Sequence, residues 1–238
     1  MLAYRRISVL PAATRILSMR SGSFRLIRGA MSQSQRFASQ HEEPIQYPPI
    51  AGPAPAAEDP PGAATLILMV GLPGAGKTTR AKELATTYQA IRLTPDHWMI
   101  PLFGDSMADG KRFVLEGRLI SVALQALWLG TSVVLDFGLW GRDERSAPCW
   151  LARAAGAACR VVYLPVDKDV QLARIAQRQE LEPQQTFLMS EADVDAWRTQ
   201  FQVPDAAELE DREIAEPPRG WPGWPEWAAD HWPSCTDS

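Results

Sequence analysis

Residues Gly71-Leu72-Pro73-Gly74-Ala75-Gly76-Lys77-Thr78 follow the pattern G-x-x-x-x-G-K-[ST], with a second hydroxyl at Thr79. Glycines at these positions let backbone N–H groups turn inward, the lysine supplies a reaching cation, and the threonine hydroxyl can bind Mg²⁺. Such a loop cradles the phosphates of a nucleoside triphosphate, and residues 71–79 are read as doing so. The flanks agree with that reading. Leu66 to Val70 reads as a buried strand, and Thr79 to Tyr88 carries helical spacing. A helix starting at the loop adds the positive end of its dipole to the phosphate site.

Phosphoryl transfer asks a protein mainly for positioning and charge neutralisation, from a lysine, Mg²⁺, a base and arginines. Asp136 closes the apolar run Ser132 to Leu135, where a Walker-B-like acid would join Thr78 in holding Mg²⁺ or its waters. Its plainer role is to cap the following turn. Asp96 follows Pro95 after a short second strand, where it could take a proton from a substrate hydroxyl. Otherwise it caps the segment His97 to Ile100. Arg174 and Arg178 lie four apart in QLARIAQRQ and share a helix face. They lead into Glu180 to Met189, an aperiodic stretch with Pro183 that suits a lid excluding water; the alternative is a solvated basic face. Arg142 and Arg145 open a helix just after the Asp136 strand and are candidate substrate contacts. The candidate catalytic set is Lys77, Asp96, Asp136, Arg174 and Arg178.

These residues need a scaffold that brings strand ends together. Strands are expected at Thr65 to Val70, Ala90 to Leu93, Ser132 to Leu135 and Cys159 to Leu164. Helices are expected at Thr79 to Tyr88, Arg112 to Leu129, Asp143 to Ala155, Asp167 to Gln179 and Glu191 to Gln200. Alternation of this kind means an α/β fold: a parallel sheet of four to five strands, helices on both faces, and ligands at the C-terminal strand ends.

With 238 residues and 46% hydrophobic content, the chain can bury one good core. Residues 1–62, an Arg-rich segment followed by a proline-dense linker, are expected to be disordered. The folded domain is expected at 63–215, and 216–238 form a tail carrying Trp221, Trp224, Trp227 and Trp232. That tail can strap back onto the domain or dock a protein partner. Seven of the 24 basic residues lie within residues 1–40, which contain no acid, so the remainder sets 17 basic side chains against all 28 acidic ones. An acidic body argues against nucleic acid as a partner. The apolar stretch Ile120 to Trp140 is broken by Gly130-Thr131-Ser132 and contains Asp136, which argues against a membrane span. Cys149, Cys159 and Cys235 are an odd number without C-x-x-C, so a reducing compartment is expected. The acid-free N-terminus reads either as an over-extended start, with a cytoplasmic protein beginning at Met31, or as a transit peptide to the mitochondrial matrix.

Taken together, GLPGAGKTT, RLTPDHWM, SVVLDFGLWGRDER and ARIAQRQ resemble the AAA-type ATP-binding proteins grouped with small P-loop kinases. Relatives of that group include chloramphenicol phosphotransferase and zeta-toxin-like kinases. The likeness runs from about Thr65 to Asp211. It implies a nucleoside-kinase-like P-loop NTPase fold that moves the γ-phosphate of ATP to a small-molecule hydroxyl, with Mg²⁺. By motif, Gly74, Gly76, Lys77, Thr78 and Thr79 would hold ATP and Mg²⁺, Asp96 would be the base, and Arg174 and Arg178 would belong to the lid. The chain departs from the group at His97, where an acid is common, and in showing no clear fifth strand unless residues 212–214 supply it. Two other activities fit the same residues: an ATPase or nucleotide-dependent binding module without an acceptor, and a zeta-toxin-like nucleotide-sugar kinase. A GTPase does not fit, because Asp167-Lys168-Asp169-Val170 lacks the N/T-K-x-D pattern.

Overall fold

A computed structural model of the chain describes residues 63–105, 108–181, 189–211 and 213–235. The run ahead of the loop is strand β1, Thr65–Val70, and the helix behind it is α1, Lys77–Thr87. There follow β2 Ile91–Leu93, α2 Asp96–Phe103, α3 Lys111–Trp128, β3 Val133–Gly138, α4 Arg142–Ala154 and β4 Ala158–Tyr163. The rest is helical: α5 Lys168–Leu181, α6 Glu191–Gln200, the short α7 Ala206–Leu209, and α8 Trp224–His231. The expected N-terminal segment 1–62 and most of the expected lid, residues 182–188, lie outside the described residues.

The four strands form one parallel sheet in the order β2-β3-β1-β4. Alternation along β1 shows why both faces need cover. Leu66, Leu68 and Val70 join a core with residues of α3, α4 and α8, whereas Ile67 and Met69 join Ala81 and Leu84 of α1. Among the described residues there is no fifth strand; Glu213 and Ile214 pair with nothing, and Arg212 is outside them. No helix of the described residues is long and apolar enough to cross a membrane.

One irregularity shapes the site. β1 and β3 are in register from Leu66↔Val133 to Leu68↔Leu135, but Val70 then faces Gly138. β3 therefore spends one more residue than β1 over this stretch, at Asp136–Phe137. Such a bulge bends a strand and re-aims a side chain. Asp136 was expected at the strand's end; the strand instead continues through it to Gly138.

The cysteines depart from the expectation of free thiols. Cys159 on β4 faces the core beneath α4, which brings it to Cys149, and the two form a disulfide. Their ten-residue separation spans the turn between α4 and β4, so the pairing is local in space and unmarked by any motif. Cys235 is a buried free thiol.

The tail is not separate from the domain. Trp224, Ala228, Trp232 and Cys235 belong to the main core, so a boundary at residue 215 cuts through it. The Trp224 indole N–H donates to the Ala215 carbonyl at 2.9 Å, satisfying its polar edge as burial requires. Truncation after Gly220 removes two buried tryptophans, each worth roughly 3–5 kcal/mol. A thermal scan should show the melting temperature lowered by about 10 °C or more, and an unchanged transition would overturn this account of the tail.

Candidate functional site

The glycines of the loop do what its pattern requires. Gly74 has φ 80°, and a Cβ there would lie 3.2 Å from the Gln171 carbonyl oxygen, so the loop and α5 can meet only with glycine. Gly76 has φ 93° and open space where a Cβ would stand. α1 begins at Lys77, so its first N–H groups and positive dipole end face the loop. The Thr78 and Thr79 side chains are exposed beside it.

Lys77 folds over the loop, its Nζ donating to the Leu72 carbonyl at 3.0 Å. Burial pushes its pKa down from 10.5 to about 8, against the opposing pull of Asp136 and then Asp96; Arg178 and Arg112 push the same way as burial. Four charged groups from four elements thus surround one ammonium. Asp136, Asp96 and Arg178 are three of the expected catalytic set. Arg174 completes it, with Nη1 donating to the Gly74 carbonyl at 3.1 Å and tying α5 to the phosphate loop.

Arg92 and Arg112 were not anticipated. Arg92 pairs in register with Val134 on β3, so strand parity puts Arg92, Val134 and Asp136 on one face. Its Nη2 reaches the buried Asp136 Oδ2 at 2.9 Å. The signal was present: in Ile91-Arg92-Leu93, Leu93 faces the core, so Arg92 must face the opposite side, where the loop and α1 lie. Arg112, on the first turn of α3, donates Nη1 to Asp96 Oδ1 at 2.9 Å and Nε to Glu116 Oε1 at 2.9 Å. The mark of this second group was Glu116, a carboxylate on the otherwise apolar stripe of α3, four residues after an arginine. Asp96 is the first residue of α2 and its side chain is 63% exposed, open to an incoming molecule. Behind the loop, the fully buried Gln171 accepts from Arg198 Nη1 at 2.8 Å, linking α6 to α5.

Of the two expected substrate contacts, Arg145 is instead built into the fold. Arg145 is 1% exposed, donates to both carboxylate oxygens of Glu208 and to the Leu139 and Trp140 carbonyls, and so fastens α7 to the loop after β3. Arg142 pairs with Asp205 at 3.1 Å, while its backbone N–H donates to Gln202 Oε1. Both arginines bind the 202–208 segment.

Two measurements bear on this geometry. Arg145→Ala leaves Glu208 without its partner; a broken buried pair costs roughly 3–5 kcal/mol, so urea unfolding should show a loss of that order with nucleotide affinity retained. Lys77 has a folded pKa near 8 and an unfolded one of 10.5, so the unfolded chain binds more protons between those values. Stability should therefore rise with pH from 8 to 10.5. Lys77→Met should flatten that rise when urea midpoints are compared across the window, and an unchanged slope would locate the titration elsewhere.

Comparison with known proteins adds the family. No curated protein matches the chain in sequence. Solved structures similar to it include a presumed kinase of Chloroflexus aurantiacus (22% identity, 60% of this chain and 79% of that one, TM-score 0.49). A gluconokinase of Sinorhizobium meliloti is similar at 15% identity (73% and 91% covered, TM-score 0.41). A shikimate kinase of Acinetobacter baumannii is similar at 21% (71% and 91% covered, TM-score 0.38). These likenesses are too low to assign an activity. The sequence from residue 66 to residue 204 matches the AAA domain, which is more than half of the chain and contains every residue of the phosphate loop and its charged neighbours. The chain belongs to the AAA domain family.

Proposed function

We propose that this protein is an ATP-dependent phosphotransferase that moves the γ-phosphate of ATP to a hydroxyl of a small molecule. The observation that carries the reading is the environment of Lys77: two carboxylates on different elements and an α5 arginine all act on one ammonium at the phosphate loop. A loop that only bound nucleotide would need the lysine and one acid. A second acid on α2, exposed and acting on the same ammonium, suits an acceptor.

The residues present fit a Mg²⁺-nucleotide. The space open beside Gly76, the exposed Thr78 hydroxyl and the buried Asp136 carboxylate supply a cradle, an oxygen ligand and a fixed negative charge. Thr78 and Asp136 would hold the ion, which when bound supplies charge neutralisation on the phosphate oxygens. Lys77 would supply its positive charge to the nucleotide's phosphates. Arg174 and Arg178 neutralise charge that spreads over the moving group, and Asp96 takes the proton of the attacking hydroxyl. Arg92 holds Asp136 in one orientation through its Oδ2.

A screen of small hydroxyl compounds with γ-labelled ATP tests the reading. Transfer to an acceptor should vanish in Lys77→Ala along with ATP binding. Asp96→Asn should lower transfer by about a hundredfold or more while ATP still binds. Label released only as free phosphate, whatever compound is offered, would replace the transferase reading with an ATPase.

A further inference from the structure

We propose that the C-terminal segment, beyond the residues that match the AAA domain, is part of the acceptor side of the site: Trp232 and Glu116 are positioning residues that hold Arg112 on the Asp96 carboxylate. The proposal rests on the reading of Asp96 as the base.

Its basis is a continuous chain of contacts. The Trp232 indole N–H donates to Glu116 Oε2 at 3.3 Å, Arg112 Nε donates to Glu116 Oε1 at 2.9 Å, and Arg112 Nη1 donates to Asp96 Oδ1 at 2.9 Å. Both oxygens of Glu116 thus accept a hydrogen bond, and the guanidinium that meets Asp96 through Nη1 is held by Glu116 at Nε. An arginine on an exposed helix turn would otherwise sample many rotamers. Here it is fixed by a carboxylate that is itself fixed from the tail.

The tail is fitted to this place. A Cβ on Gly117 would lie 2.8 Å from Ser234 Oγ and 2.9 Å from the Cys235 N, so α3 carries glycine where the tail crosses it. The Ser234 hydroxyl donates to the Val114 carbonyl, and Trp232 is 1% exposed. Packing alone does not call for a charged group under that ring. A buried carboxylate is costly unless it is paired, and an apolar residue on α3 would seal the face equally well. Burial raises the Glu116 pKa from 4.5 to about 7, offset by Arg112 on its own helix and raised further by Glu144 of α4; His231 of α8 faces Glu144 at 3.4 Å. Glu116 therefore loses its charge, and its hold on Arg112, as pH falls through about 7.

The test uses the full chain labelled with ¹⁵N-tryptophan, with the Trp232 indole resonance assigned through Trp232→Phe and followed against pH. In the native protein that resonance should titrate with a midpoint near 7, and Glu116→Gln should abolish the titration. Asp96→Asn alters an exposed side chain and spares the core. It should lower the midpoint, because Arg112 then gives its charge to Glu116 undivided. A Trp232 titration in Asp96→Asn that superimposes on the native one overturns the proposal, since a merely structural tail would not sense Asp96. With an acceptor in hand, Glu116→Gln should lower kcat about tenfold at unchanged KM for ATP and move the acid limb of the pH profile. Absence of transfer in the native protein counts against the phosphotransferase reading alone, because the resonance experiment needs no acceptor.

Discussion

Parallel pairing of β1 with β3 brings the phosphate loop and Asp136 out of the same edge of the sheet, and strand alternation puts that carboxylate among the groups around Lys77. The irregularity follows at Asp136–Phe137 and brings Gly138, instead of Phe137, opposite Val70 of β1. The remaining parts are arranged around this pair of strands. β2 lies against β3 and supplies Arg92 to the Asp136 oxygen, while β4 lies against β1 and leads into α5, whose arginines reach the loop. At Gly74 the loop's backbone lies close against α5, and α5 is tied in turn to α6 through Gln171 and Arg198.

The charges of the site come in pairs that span elements. Asp136 is balanced by Arg92, Asp96 by Arg112, and Lys77 by both acids. This arrangement resolves a conflict between stability and chemistry. A buried, uncompensated charge is expensive, yet a phosphate-binding loop needs fixed charges that do not reorganise. Cross-element pairing fixes each charge by a partner on another strand or helix. It also keeps the depressed Lys77 stable as an ammonium at neutral pH, since about 8 is still above that range.

Much of this was legible in the residues, and what was not has a physical reason. The phosphate loop, four strands and the main helices follow from local pattern: apolar runs, 3.6-residue spacing and glycines at fixed offsets. Asp96 and Asp136 stood out because they follow strands. Arg145 misled, since sequence position puts it after the Asp136 strand but the fold buries it against Glu208, some sixty residues away. Arg92 and Glu116 were missed although each breaks its local pattern, one a cation within a three-residue strand, the other an anion on an apolar stripe. A charge out of pattern marks a partner without naming it. The Cys149–Cys159 bond was missed for the same reason: α4 stacking on β4 is a tertiary fact.

The family match ends at residue 204, yet the core does not. Residues beyond that point supply Glu208 to Arg145, Asp211 to Arg153, and Trp224 and Trp232 to the face of α3 and α4. In a sheet whose β4 edge meets no further strand among the described residues, something must cover the apolar side chains of α4 and β4. Helices α7 and α8 take that work, and tryptophan suits it because one residue buries a large area while its N–H needs only a single acceptor. The acceptor for Trp232 is Glu116, itself bound to the arginine that meets Asp96. The contact that covers the core therefore also reaches the arginine on Asp96. The end of the chain beyond the family match is thereby linked to a carboxylate that acts on Lys77.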